Sequence, residues 1–291
     1  MTETDEPLAP GLYLVATPIG NLEDVTLRAL RVLRSADRIA CEDTRQTRKL
    51  LDRYAIATPT ISSHEHNEAE RSRQLVAELK NGARIAVVSD AGTPGISDPG
   101  MLLTAAAIAE GIPVYPIPGA SAALAALVAS GLNTGQFFFL GFLPPKAGAR
   151  RSALEDLASR VLEPTAVVLY EAPHRVLETL ADLEAVFGPA SRVAVGRELT
   201  KLHEEFLRGT VAEVRSQLAA RDSIRGEMVL VIEAPPPSTS SSTGTVSTRL
   251  AEIQQSEGLD EKDALKRLAR ERGVSKSELW RELQRERARS K

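Results

Sequence analysis

At roughly 100–200 residues per domain, a chain of 291 residues predicts two domains and an appendage. Hydrophobic residues make up 43% of it, enough for ordinary buried cores, which excludes disorder over most of its length. The net charge is only −3, and the single cysteine, Cys41, excludes a disulfide framework or a cysteine-ligated zinc ribbon and fits a reducing, cytoplasmic setting.

In chain order, the acidic start MTETDEPLAP has no apolar core, so residues 1–10 read as a frayed tail rather than a signal peptide. LYLVA (12–16) reads as a buried strand, followed by a helix over 26–35 with Leu27, Leu30 and Leu33 at helical spacing. Then come RIACE, a helix over 44–54, TPTISS, a helix over 68–80 and the strand RIAVVSD (84–90). A helix over 101–110, the strand GIPVYPIP and an apolar helix over 121–130, expected to be buried, complete a first lobe spanning 11–132. Residues 111–145 contain no Asp, Glu, Lys or Arg, but their prolines and glycines divide them into strand, helix and strand, not a membrane span.

A second lobe over 133–234 supplies the strands QFFFLGFLP, TAVVLYEAP, SRVAVGREL, EEFLRGT and GEMVLVIEA. Helices are expected over 149–162, 175–187 and 211–221, and VAVGREL can pair with EEFLRGT as an antiparallel ribbon. Alternation of this kind predicts an α/β fold, with a mainly parallel sheet in the first lobe and a mixed one in the second. A Pro/Ser/Thr linker follows over 235–248. The last 43 residues, 249–291, carry 12 basic and 9 acidic side chains, so the chain's −3 divides into +3 there and −6 before it. Their apolar spacing predicts two or three short helices broken at Gly273, with SKSE a capping box at Ser275. Such a helix-turn-helix-like module suits an RNA or ribosome contact.

Ligands of parallel α/β sheets bind at loops leaving the carboxyl ends of strands. Three such loops are rich in glycine and proline: TPIGNL (17–22), SDAGTPGISDPG (89–100) and PGASA (118–122). None carries a phosphate-loop or dinucleotide fingerprint, and Asp90 and Asp98 would repel a polyphosphate. Those aspartates suit ribose hydroxyls, an amino group or a cationic centre.

The motifs TPIGNLEDVTLRAL, ACEDTR, SDAGTPGISDPG, PGASA, YEAPHR and GEMVLVIE together resemble the tetrapyrrole methylase superfamily. Within it they are similar to the branch that methylates a cytidine 2′-hydroxyl in the decoding region of 16S rRNA. The resemblance runs in order from about residue 12 to residue 233. It implies a two-lobed class III methyltransferase fold with a small helical C-terminal extension, a homodimer, and S-adenosylmethionine bound in the cleft. Carried over by motif, Pro18, Gly20, Asp90, Thr93, Ser97, Ser121 and Ala122 would contact that cofactor. Tyr170 and Met228, on second-lobe strands, would form the opposing wall. Rival readings are a tetrapyrrole or protein side chain as substrate, or a non-enzymatic RNA-binding scaffold; the EDTR segment and the basic tail favour rRNA.

Transfer to a hydroxyl requires alignment, exclusion of water and a proton acceptor. Asp43 and Glu171 are the catalytic candidates, with Arg45 and Arg175 positioning phosphate or a carboxylate; the alternative is an ion-pair network that only shapes the loops. RNA contacts are expected at Arg45, Arg48, Lys49, Lys146, Arg150, Arg151 and Arg175, on a body acidic enough to imply a preformed ribosomal subunit as substrate. His64, Glu65 and His66 lack a third ligand, and His203 reads as part of a surface strand, so no metal site is expected.

Overall fold

A computed structural model describes residues 7–64, 67–98, 100–161, 163–234, 246–271 and 274–289. The chain divides into two compact units, Met1–Pro235 and Pro236–Lys291.

The first unit contains two five-stranded sheets. Strands β1 (Gly11–Val15), β2 (Arg38–Cys41), β3 (Thr60–Ser62), β4 (Arg84–Val88) and β5 (Val114–Ile117) form an all-parallel sheet in the order β3-β2-β4-β1-β5. Because successive strand residues point to opposite faces, this sheet has two cores. Tyr13, Val15, Ile39 and Val88 meet Leu30 and Leu33 of α1 (Leu27–Ser35) and Leu50 and Leu51 of α2 (Thr44–Arg53). On the other face, Leu12, Ala40, Ile85 and Val87 meet Leu75 and Leu79 of α3 (Glu68–Lys80) and Leu103 of α4 (Met101–Ala109). Thr26 caps α1 by accepting a hydrogen bond from Ala29 N at 3.0 Å. Pro116 is accommodated because β5 is an edge strand. The expected frayed tail lies outside the described residues for 1–6, whereas Leu8 packs against the first core and Ala9 O accepts from the Tyr13 hydroxyl.

The apolar helix α5 (Ala122–Ala129) differs from expectation in two ways. Leu124 and Val128 are exposed, so only one face is buried. That face, Ala123, Ala126 and Leu127, packs on the second sheet against Val168, Ala194, Val229 and Val231 rather than closing the first lobe.

The second sheet is mixed, in the order β6-β7-β10-β8-β9. Its strands are β6 (Phe137–Phe142), β7 (Thr165–Glu171), β8 (Arg192–Arg197), β9 (Glu205–Thr210) and β10 (Met228–Ala234). β6 is parallel to β7, while β10 runs antiparallel to both β7 and β8. The ribbon expected from VAVGREL and EEFLRGT forms as the antiparallel β8–β9 pair. The face opposite α5 packs against α6 (Ala147–Arg160), α7 (Val176–Phe187) and α8 (Val211–Ala219). His203 lies in the turn before β9, not on the strand.

Glu205 joins this ribbon to the end of α8. Its carboxylate accepts from Arg221 at 2.6 and 2.9 Å and from Arg197 at 2.9 Å. The Arg221 hydrogen bonds, seconded by Arg197, pull its pKa down from 4.5 to about 2. A lowered folded-state pKa contributes stability above the unfolded value, lost as pH falls through the folded one. Glu205→Gln is therefore expected to lower unfolding free energy at pH 7 by about 1–2 kcal/mol, allowing for partial exposure. In urea titrations the gap from the unsubstituted protein should close between pH 4.5 and about 2.

The second unit is built from α9 (Val246–Glu257), α10 (Glu261–Glu271) and α11 (Lys276–Arg289) around Leu250, Ile253, Leu265, Leu268, Leu279 and Leu283. The linker expected to extend to 248 gives way to helix at Val246, and its residues 235–245 lie outside the described residues, as does Gly273. Ser275 and Glu278 form the expected reciprocal cap: Ser275 Oγ accepts from Glu278 N, and the Glu278 carboxylate accepts from Ser275 N. Among the described residues no helix is long and apolar enough to cross a membrane.

Candidate active site

The three glycine-bearing loops are laced to one another. Thr17 N donates to Gly92 O at 2.8 Å and Gly92 N returns a bond to Thr17 O at 3.1 Å, joining the loops after β1 and β4. Thr93 Oγ1 donates to Ala120 O at 3.4 Å, joining the second loop to the turn after β5. Gly92 has φ +81°, a left-handed conformation that side chains resist, and a Cβ there would lie 3.3 Å from Ile19 Cγ2. The second lobe closes on these loops equally tightly. Asn21 N donates to Thr200 Oγ1 at 3.1 Å, and a Cβ on Gly141 of β6 would come within 2.8 Å of Ser97 Oγ.

Between the lobes lies a cavity of about 290 Å³. Thr93, Ser97, Ser121 and Ala122 line it from the loops, and Tyr170, Glu171 and Met228 from β7 and β10. Pro18, Gly20 and Asp90 instead line an adjoining cavity of about 220 Å³, together with Lys49. Ile19, Ala91 and Glu227 belong to both walls. Tyr170 is held edge-on by Phe139 and Phe142, with ring centroids at 5.1 and 5.6 Å, and burial raises the pKa of its phenol. Ser121 caps α5 through Leu124 N at 3.5 Å, which aims the start of that helix at the cavity.

Neither expected proton acceptor is uncommitted. Asp43 lines neither cavity; its carboxylate caps α2 at Arg45 N (2.8 Å) and accepts from the Arg45 guanidinium, which holds its pKa below the usual carboxylate range. Glu171 reaches the main cavity, but one oxygen accepts from Ala172 N at 2.8 Å and the other from the Thr179 hydroxyl at 2.5 Å. Arg175 lies 3.4 Å from the same carboxylate and donates to Leu143 O and Pro144 O. Of the carboxyls lining the cavity, Glu227 pairs with Lys201 at 3.0 Å, and Asp98 is the remaining candidate. Burial, reinforced by Glu42 and Asp90, pushes its pKa up to about 6 against an opposing hydrogen bond from Ser89. Sequence reasoning singled out Asp98 as acidic but gave it no catalytic part; its place beside Asp90 in one strand-end loop was the available signal.

The expected RNA contacts separate by exposure. The Arg45 side chain is 89% exposed, Arg48 sits near Asp52, and Lys146 is exposed. Arg151 is exposed and pairs with Asp182 at 3.0 Å. Arg150 must be removed from the set: its side chain is 2% exposed and donates to Asp182 at 2.6 Å and Glu178 at 3.2 Å. Arg175 is likewise committed to the carbonyls after β6. His64 pairs with Asn67, and Glu65 and His66 lie outside the described residues. Among the described residues no group of three His, Cys, Asp or Glu is placed to hold a metal ion.

Two α/β lobes enclosing a cleft at the strand ends define a class that known proteins share. Residues 11–215 match the family of Tetrapyrrole (Corrin/Porphyrin) Methylases, and the chain belongs to that family. Its relatives place it further, among proteins named ribosomal RNA small subunit methyltransferase I. The protein of that name from Halalkalibacterium halodurans is 48% identical over 276 residues, covering 92% of this chain and 93% of its own. That from Bacillus subtilis is 44% identical over 284 residues, covering 92% of each. The same fold is seen in uroporphyrin-III C-methyl transferase from Thermus thermophilus, solved with S-adenyl homocysteine. It is 20% identical, with a TM-score of 0.55, covering 77% of this chain and 97% of that one.

Proposed function

We propose that this chain methylates the 2′-hydroxyl of a cytidine in the decoding region of 16S rRNA, taking the methyl group from S-adenosylmethionine and acting on the small ribosomal subunit in the cytoplasm. The observation that carries the reading is the main cavity, walled by both lobes, with Thr93 and Ser121 opposite Tyr170 and Met228. Identity near one half to relatives named for this substrate supports it. The wall fits the cofactor chemically: hydroxyls for polar edges, Met228 and Tyr170 for a flat nucleoside face, and the Asp98 carboxyl for positive charge. When bound, S-adenosylmethionine supplies an electrophilic methyl group with a neutral leaving group.

The chain's own residues bind, orient and exclude water. Ser97 and Gly141 close the lobes over the site, and Asp98 takes the proton of the attacking hydroxyl, assisted by a pKa near its working range. The adjoining cavity, with Pro18, Gly20, Asp90 and Lys49, lies toward the exposed Arg45 and admits the nucleotide. A flipped or single-stranded cytidine is required, since a stacked ribose is shielded. The tail over 249–291 adds an rRNA contact. Homodimerisation is supported by the exposed Phe137 and Phe138 on edge strand β6, which soluble proteins cover. Sedimentation equilibrium reads its mass.

The test uses purified protein, methyl-labelled cofactor and small subunits lacking the modification. Alkali-resistant label at a single cytidine is expected; label on a base, or none on the subunit while a tetrapyrrole is labelled, would reject the reading.

A further inference from the structure

The chain's only tryptophan, Trp280, stands 44% exposed on α11, while its neighbours Leu279 and Leu283 are fully buried in the three-helix core. The indole is therefore not needed to fill that core. Residues 276, 280, 284 and 287 fall on one side of an α-helix, so Lys276 precedes Trp280 by a turn, Gln284 follows it, and Arg287 lies beyond, all exposed. Arg281 and Arg285, one and five residues beyond Trp280, turn away from this side. Two acidic residues of α11 are turned to other tasks. Glu278 closes the cap at Ser275, and Glu286 accepts from Val246 N and Ser247 N at the start of α9. Glu282 falls on the opposite side of the helix. The carboxylate that does reach the side is Glu261, 3.2 Å from Arg287.

We propose that Trp280 is a stacking platform for an unpaired RNA base, with Lys276 and Arg287 taking the adjoining phosphates and Gln284 the base edge or ribose. Aromatic rings stack on any base without sequence preference, and cations beside them follow the backbone. A protein partner also covers exposed indoles, but ten basic against four acidic side chains over 266–291 favour a polyanion. This inference rests on the tail being an rRNA contact and specifies which side of which helix makes it.

Trp280 emission isolates this site from the cleft. The full chain is titrated with a ten-nucleotide oligocytidylate at low salt. Saturable quenching is expected, with affinity roughly 10-fold weaker in Trp280→Ala and largely kept in Trp280→Phe; circular dichroism and the heat midpoint verify that both variants fold. Lys276→Gln/Arg287→Gln should weaken binding and flatten its salt dependence. Binding without quenching, and unaltered in Trp280→Ala but weakened in the Lys276/Arg287 variant, overturns the platform while leaving the tail's RNA contact standing. Affinity unmoved in every variant overturns both. Loss of subunit methylation in Trp280→Ala at unchanged oligonucleotide affinity assigns Trp280 to a protein surface and also overturns the proposal.

Discussion

Asp98→Asn is expected to lower the methyl-transfer rate constant by about 100-fold while leaving the fold intact and slightly firmer. Asparagine keeps the size and hydrogen-bonding outline of the side chain but cannot accept a proton. With the native pKa near 6, the unsubstituted enzyme should gain activity as pH rises through 6 and level off above; the variant should lose that limb. Stability moves the other way. A carboxyl whose pKa is raised from 3.8 to about 6 on folding favours the native state below 3.8, and that contribution is lost as pH rises through 6. At pH 7 the ionised, half-buried group therefore costs stability, so the neutral variant should melt higher at pH 7 and equally at pH 4 or below. Solvent screening keeps the difference under about 1 kcal/mol. An unchanged rate with an unchanged pH profile would take Asp98 out of the chemistry.

Arg150→Ala should destabilise the second lobe by about 3–5 kcal/mol, because it strands a carboxylate in the interior. The partner left behind is Asp182 on α7, only 4% exposed, whose other cation, Arg151, is half in solvent. Glu178, at 67% side-chain exposure, adds little to the sum. Urea midpoints measure the loss. Replacing both partners, Arg150→Met with Asp182→Leu, should recover most of it, since the penalty is an uncompensated charge and not a missing contact. Lys146→Gln, at the exposed N-cap of α6 four residues earlier, should leave the midpoint unmoved. A small loss in Arg150→Ala would mean that water reaches Asp182.

The contrast between Arg150 and Lys146 shows where sequence reading succeeded and stopped. Strands such as LYLVA and RIAVVSD were legible because an unbroken apolar run of strand length has few alternatives. Helix α3 was legible because its apolar spacing and flanking turns agree. The loops of the site were legible because glycine and proline at successive strand ends have no other economical use. Arg150, however, falls in a basic run that looks solvated; only the approach of α7, with Asp182 aimed inward, turns it into a core residue. Asp43 and Glu171 failed as uncommitted bases for a related reason. Whether a carboxylate is occupied depends on amides and hydroxyls that fold against it, such as Thr179 eight residues along the chain from Glu171. The split of Pro18, Gly20 and Asp90 from Thr93 and Ser121 is likewise a matter of a few ångströms at Ile19 and Ala91, a scale that motif order does not encode.

Helix α5 follows the first sheet in the chain yet packs on the second. In a clamshell opening this helix would therefore travel with β7, β8 and β10 as part of the second lobe, and the chain would bend in the 118–121 turn ahead of it. The contacts that such an opening must part are the ones that cross the lobes, Asn21 with Thr200 and Ser97 with Gly141.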